Sequence, residues 1–109
     1  MTVSALAAQL GLREITVADP DREVTGGYAG DLLSWVMGRV NEGDAWVTIM
    51  TNINVIAVAS LADVACVILS EDVGVEDDVI EAAKKQGITL LGSTDSTYAV
   101  CKALGEVLA

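Results

Sequence analysis

Three continuous apolar runs predict the centre of a β-sheet. Residues 45–50 (AWVTIM), 64–69 (VACVIL) and 88–91 (ITLL) show almost no alternation between polar and apolar positions. Strands that are covered on both faces have this pattern, which is typical of parallel sheets flanked by helices. The runs therefore predict three central strands that point the same way.

Helical patterns separate these runs. Residues 54–61 are apolar on nearly all sides, which predicts a helix sandwiched between other elements. Residues 75–86 begin with acidic residues, end with two lysines and are followed by Gly87, as the helix dipole and a left-handed helix stop favour. This alternation predicts an α/β fold, a single three-layer domain over residues 1–109 with a mostly parallel four- to five-stranded sheet flanked by helices.

The two ends of the chain predict further elements. Residues 2–10 have one apolar face and are followed by Gly11, which predicts a short helix. Residues 13–17 alternate between polar and apolar positions, as expected for an edge strand. The last segment, residues 95–108, predicts a helix that uses Tyr98 on its core-facing side.

The segment before the first apolar run contains a glycine-rich stretch. Residues 23–25 predict a short strand, and the GGYAG sequence of residues 26–30 predicts a flexible turn with positive φ angles. This stretch lacks the Gly-Lys-Ser/Thr ending of a phosphate-binding loop. Asp31 then predicts the N-cap of a helix over residues 31–40.

The charge balance excludes several classes of partner. Sixteen acidic residues stand against six basic ones, so the net charge is −10. Nucleic acids and anionic lipid surfaces both require positive charge on the protein, which predicts no nucleic-acid and no membrane partner. The sequence shows neither a membrane span nor a secretory leader, so we expect a cytoplasmic protein.

The residue types also limit the possible chemistry. Because the chain has no histidine, the usual general base, the usual metal-binding imidazole and every Ser/His or Cys/His pair are missing. Cys66 and Cys101 lie in apolar runs and predict buried, reduced thiols. The acidic residues between 71 and 81 do not have the spacing of a calcium-binding EF-hand loop. No enzyme site, metal site or specific cofactor is predicted.

The loops that follow the strands predict a ligand site. In parallel sheets, ligands bind at the carboxyl ends of the strands. The hydroxyl, amide and carboxyl side chains that follow the first and third runs are Thr51, Asn52, Asn54, Thr94, Asp95 and Ser96. An alternative is that Asn54, Thr94 and Asp95 only cap helices, at about 1 kcal/mol each. Asn52 is harder to explain as a cap, because Asn54 is better placed for that role.

The two tryptophans bear on self-association. Trp46 begins an apolar run and predicts a core or rim position, whereas Trp35 lies beside the apolar stripe of the helix over residues 31–40. A subunit interface and simple packing at the flank both explain Trp35. The apolar fraction of 52% is high for a small acidic domain. We therefore expect a homodimer that uses this helix.

Three segments resemble the DRTGG domain family. They are residues 43–59, 65–70 and 87–94, and the resemblance extends loosely to residues 26–33. The family is similar to the N-terminal domain of HPr kinase/phosphorylase. The resemblance implies an α/β fold, a regulatory or assembly role, and dimerisation.

The two motifs that name the family are replaced in this chain. Thr51 and Asn52 stand where the resemblance places the Asp-Arg pair, and residues 70–72 (SED) stand where it places Thr-Gly-Gly. The chain thus resembles a divergent, free-standing member. We expect a non-catalytic regulatory domain that binds a small ligand or a signalling protein. The alternatives are a purely structural interaction module and an enzyme subunit that handles nucleotides or phosphate.

Overall fold

A computed structural model describes all 109 residues of the chain. It contains five helices and five strands. In chain order they are α1 (Val3–Leu10), β1 (Arg13–Thr16), β2 (Gly26–Ala29), α2 (Leu33–Met37), β3 (Asp44–Thr48), α3 (Ile53–Ala62), β4 (Cys66–Leu69), α4 (Asp77–Gln86), β5 (Leu90–Gly92) and α5 (Thr97–Leu108).

The strands form one mostly parallel sheet in the order β1-β5-β4-β3-β2. Strands β2 to β5 are parallel, and only β1 pairs antiparallel, with β5. Trp46 of β3 lies opposite Val67 of β4, and Val67 lies opposite Leu90 of β5. This arrangement confirms the predicted α/β fold and the common direction of the three apolar runs.

Helices cover both faces of the sheet and create two apolar clusters. Helices α2, α3 and α4 pack on one face, where Trp46 is fully buried. The Trp46 indole Nε1 donates to the Gly30 carbonyl oxygen at 2.9 Å. Helices α1 and α5 pack on the other face, where Leu6 and Leu104 are buried. Trp46 is thus a core residue, and the three-layer prediction is correct.

Several helix ends follow the local signals in the sequence. The Thr2 hydroxyl accepts from the Ala5 N–H at the start of α1, and Gly11 ends that helix with a φ angle of 64°. Gly87 ends α4 in the same left-handed conformation, with a φ angle of 69°.

None of the five helices has both the length and the apolar character that crossing a bilayer requires.

The glycine-rich stretch is not a turn, and that prediction is wrong. Gly26–Ala29 forms the edge strand β2, whose residues pair in parallel with β3, and none of its glycines has a positive φ angle. A Cβ atom on Gly27 would lie 2.8 Å from the Leu104 Cδ2 atom. Glycine therefore allows the Leu104 side chain of α5 to pack closely on β2. The strand expected at residues 23–25 is reduced to one bridge between Thr2 and Glu23.

Two predictions of burial are also wrong. Helix α3 is not sandwiched, because no element covers its outer side, where Ile53 and Leu61 are exposed. Tyr98 does not face the core and is 80% exposed. Helix α5 begins at Thr97, and its buried side is formed by Val100 and Leu104.

Candidate functional site

Strands β2, β3, β4 and β5 end on the same side of the sheet, as the prediction of a common direction required. We call this side the carboxyl edge, and it comprises residues 30–31, 49–54, 70–74 and 93–97. Because α3 and α5 both begin there, their N-terminal N–H groups also point toward this edge.

Asp31 connects the loops that follow β2 and β3. Its Oδ1 atom accepts from the Thr48 hydroxyl at 2.8 Å and from the Ile49 N–H at 2.9 Å. The expected role of Asp31 as a helix N-cap is wrong, since α2 starts after Leu32 without a side-chain cap. No local signal points to this bond, which depends on pairing between β2 and β3.

Asn52 is the N-cap of α3. Its Oδ1 atom accepts from the Asn54 N–H at 2.9 Å, so the cap falls two residues before the position that the sequence favoured. Asn54 lies exposed in the first turn of the helix, and Thr51 is half-buried just before it. Thr51, Asn52 and Asn54 thus form one polar group at the end of β3.

The second polar group lies at the start of α5. Ser96 is the N-cap, and its hydroxyl accepts from the Ala99 N–H at 3.1 Å. Thr94 and Asp95, considered as caps from the sequence, are exposed loop residues. The structure therefore brings all six predicted residues to the carboxyl edge, in two groups on either side of the loop that follows β4.

That central loop closes the space between β4 and β5. The Glu71 N–H donates to the Asp95 carbonyl oxygen at 2.8 Å, and the Asp72 N–H donates to the Ser93 carbonyl oxygen at 2.9 Å. The Glu71 Oε2 atom also accepts from the Thr97 N–H at 2.8 Å. The carboxylate of Glu71 thus occupies the helix N-terminus, where an anionic ligand would otherwise bind.

The backbone of this loop is left-handed at two positions that are not glycine. Glu71 has a φ angle of 63° and Asp72 has one of 56°. These are the positions that the resemblance matched with two glycines, and glycine adopts such angles without a steric cost. The loop thus has the left-handed backbone that glycine adopts most easily, although neither residue is glycine.

Arg13 lies beside the carboxyl edge and is absent from the residues predicted from the sequence. The antiparallel register of β1 and β5 places it opposite Gly92, the last residue of β5. Its guanidinium forms no salt bridge, whereas Arg22 pairs with Asp63 at 3.1 Å. Its location depends on strand pairing between residues about eighty positions apart, so no local signal pointed to it.

Three cavities occur in the molecule, and none is lined by the six predicted residues. One of about 410 Å³ lies between β2 and α5, and one of about 430 Å³ forms a groove between α3 and α4. The third, of about 120 Å³, includes Arg22 and Asp63. The six predicted residues therefore lie on an open surface and not in a cavity.

The cysteines offer no reactive group at this edge. Both are free thiols. Cys66 is fully buried, and burial raises its pKa to about 12. Cys101 is only half-buried, so burial is confirmed for Cys66 alone, although partial burial also raises the pKa of Cys101. No three His, Cys, Asp or Glu side chains come together in a way that could hold a metal ion.

Comparisons with known proteins add a family and a fold. The family model of the DRTGG domain matches residues 29–107. A similar solved structure comprises the CBS and DRTGG domains of the regulatory region of Clostridium perfringens pyrophosphatase, complexed with its activator diadenosine tetraphosphate. The two are 14% identical with a TM-score of 0.71 over 94% of this chain. The match covers 45% of that chain, so the present chain spans less than half of its length. No curated protein matches.

Proposed function

Since this chain belongs to the DRTGG domain family, we propose that it is a non-catalytic regulatory domain that binds a small ligand as a homodimer. The observation that carries this proposal is the gathering of four parallel strand ends at one polar edge. Regulatory domains need a ligand surface and no reacting group, and this edge has hydroxyl, amide and carboxyl side chains without an activated nucleophile. A cytoplasmic location and similarity to the N-terminal domain of HPr kinase/phosphorylase stay predictions.

The proposed ligand contacts are the two polar groups at the carboxyl edge. The residues are Thr51, Asn52, Asn54, Thr94, Asp95 and Ser96. The side chains of Thr51, Asn54, Thr94 and Asp95 form no hydrogen bond within the chain. They are therefore available to a ligand that lies across the loop after β4.

Charge limits the chemistry of this ligand. The chain carries a net charge of −10, and Glu71 already occupies the N-terminus of α5. A helix N-terminus contributes only about 0.3–1 kcal/mol to anion binding, whereas millimolar affinity needs about 4 kcal/mol. Arg13 is the cation that the sheet register brings close to this edge. We therefore propose a neutral or zwitterionic ligand such as a nucleoside, or one with at most about two negative charges such as its monophosphate, in preference to a polyphosphate.

An NMR titration tests this proposal. Backbone amide shifts of ¹⁵N-labelled protein are followed with adenosine, adenosine monophosphate and diadenosine tetraphosphate. We expect shifts at the carboxyl edge, with tighter binding of the first two compounds. Native mass spectrometry of freshly purified protein extends the search to ligands carried over from the cell. Shifts confined to other surfaces, or none with any compound and no bound molecule, would contradict the proposal.

Matched N-cap variants separate binding from stability. Asn52→Ala and Thr2→Ala each remove a side-chain N-cap, at about 1 kcal/mol. Only Asn52 belongs to the proposed site, so only Asn52→Ala should weaken ligand binding. Equal weakening by both variants would show that the loss comes from reduced stability.

A purely structural interaction module is a second candidate, and one observation favours it. The space between β4 and β5 is closed by the chain's own hydrogen bonds through Glu71 and Asp72. In that case the carboxyl edge would bind only water. Absence of any small-molecule effect in the titration, together with a stable dimer, would favour this alternative.

A further inference from the structure

The exposed apolar side chains are concentrated on one side of the molecule. Seven large hydrophobic residues are exposed, and only Tyr98 lies on α5. The other six lie on α2, on α3 or in the segments next to them. We call them, together with Ala57, the α2–α3 face: Leu32, Trp35, Met37, Ile49, Ile53, Ala57 and Leu61.

Helix α3 forms the centre of this face. Ile53, Ala57 and Leu61 are spaced by four residues, so they lie along one side of the helix. A groove of about 430 Å³ runs beside them toward Ala82 of α4. The stripe is large at both ends and small in the middle, which is the shape that lets two helices cross closely at the small residue.

Charge distinguishes this face from the rest of the surface. Residues 32–38 and 45–62 contain no charged side chain, although the chain as a whole carries −10. The guanidinium of Arg39 lies 3.3 Å from the centroid of the Trp35 ring and covers part of it. A basic partner would find no carboxylate here to pair with. Two copies of this chain, by contrast, would meet through helices α2 and α3, neither of which carries a charged side chain.

We propose that a second copy of the chain covers the α2–α3 face across a two-fold axis that passes near Ala57. The inference rests on the homodimer proposed above and adds its surface. With α3 antiparallel to α3 of the second copy, Ile53 lies beside Leu61 of that copy and Ala57 faces its own equivalent. A stable interface covers about 800 Å² on each partner, a modest share of the 5544 Å² accessible on this chain.

The first test measures dimerisation by analytical ultracentrifugation at protein concentrations up to about 1 mM. Ala57→Glu places a good helix former at an exposed position, so the fold should be kept. Ala8→Glu is the matched control, since Ala8 is an exposed helical alanine on α1. We expect Ala57→Glu to weaken dimerisation about 100-fold, because it brings two carboxylates together at the axis. Ala8→Glu, which has the same net charge, should change it by less than about 3-fold. Circular dichroism verifies that both variants fold.

The second test uses charge pairing at the axis. If Ala57 faces its own equivalent, an equimolar mixture of Ala57→Glu and Ala57→Lys should form heterodimers, whereas each variant alone stays monomeric. Salt gives an independent readout. Association of the wild-type chain should strengthen as NaCl rises from about 0.05 to 0.5 M, because screening reduces the repulsion between two acidic copies.

The outcomes separate the two proposals. A wild-type dimer that Ala57→Glu leaves intact would overturn the proposed surface and keep the homodimer. Heterodimers that fail to form in the mixture would overturn the two-fold axis near Ala57. A wild-type chain that stays monomeric throughout would overturn both, while ligand binding at the carboxyl edge is judged separately by the NMR titration.

Discussion

The two helical faces of the sheet differ in how many large apolar side chains they leave exposed. On the face formed by α1 and α5, large side chains such as Leu6 are fully buried, and Tyr98 alone is exposed. On the α2–α3 face, six large apolar side chains remain exposed, with Trp35 at 55% and Leu61 at 76%. The inner side of each helix is therefore buried against the sheet. On the outside, the α1–α5 face exposes one large apolar side chain, whereas the α2–α3 face exposes six.

Helix α3 shows this difference most clearly, because apolar side chains lie on both its buried side and its outer side. Val55, Ile56, Val58 and Ala59 of α3 are buried against the rest of the domain. Ile53, Ala57 and Leu61 on the outer side of α3 are also apolar, yet no element of the chain lies over them. Clusters of exposed apolar side chains are typical of interaction surfaces. The two faces thus differ in that the chain leaves apolar side chains uncovered on only one of them, and the proposed homodimer would cover these.

The largest expected effect compares one substitution on the two faces. Leu6→Ala removes a fully buried side chain from α1, so we expect the free energy of unfolding to fall by about 2–5 kcal/mol. Leu61→Ala removes an exposed side chain from α3 and should change the monomer's stability by less than about 0.5 kcal/mol. Urea denaturation at low protein concentration measures both. Similar losses for the two variants would show that Leu61 is covered within the monomer.

A smaller effect is the pH dependence of stability that arises from a thiol in the core beneath α1 and α5. Burial raises the pKa of Cys66 from 9.0 to about 12, so the folded chain keeps the thiol neutral while the unfolded chain ionises it. The contribution of the buried Cys66 thiol to the free energy of unfolding is complete below pH 9 and is lost as pH rises toward 12. We expect the free energy of unfolding to fall by about 1.4 kcal/mol per pH unit in that range.

Cysteine variants isolate this contribution. Cys66→Ala should remove most of the alkaline slope in urea denaturation between pH 9 and 10.5, whereas Cys101→Ala should leave most of it, because Cys101 is only half-buried. An unchanged slope in the Cys66→Ala variant would mean that other groups cause the alkaline loss.

The smallest expected effect concerns two glycines where α5 packs on β2. Gly105 lies inside α5, and a Cβ atom there would meet nothing within 4 Å. Gly105→Ala should therefore stabilise the domain by about 0.5–1 kcal/mol through helix propensity. Gly27→Ala is the matched contrast, since its Cβ would lie 2.8 Å from the Leu104 side chain and should destabilise the domain. If thermal unfolding ranked the two variants in the opposite order, this description of the packing between α5 and β2 would be contradicted.

Much of the fold could be predicted from local pattern. The three apolar runs correspond to β3, β4 and β5, and the helices between them were correctly located to within a few residues. The six candidate site residues all lie at the carboxyl edge, because strands of one direction end on one side of a sheet. Their role in binding stays a prediction.

Other features could not be read from the chain because they depend on distant partners. Gly26 and Gly27 look like turn residues, but parallel pairing with β3 makes them a strand. Asp31 looks like a helix cap, but its carboxylate bonds to the Thr48 hydroxyl and the Ile49 N–H instead. The closure of the β4–β5 space by Glu71 likewise required both loops to be in place.

The amino-acid sequence by itself determined the α/β class, the common direction of the central strands and the polar character of their ends, since each follows from the local order of apolar and polar residues. Only the tertiary structure decided which side of α3 stays uncovered, that Asp31 bonds to β3 instead of capping α2, and that a glutamate occupies the start of α5. Those features depend on contacts between segments far apart along the chain, and periodicity within a segment carries no information about such contacts.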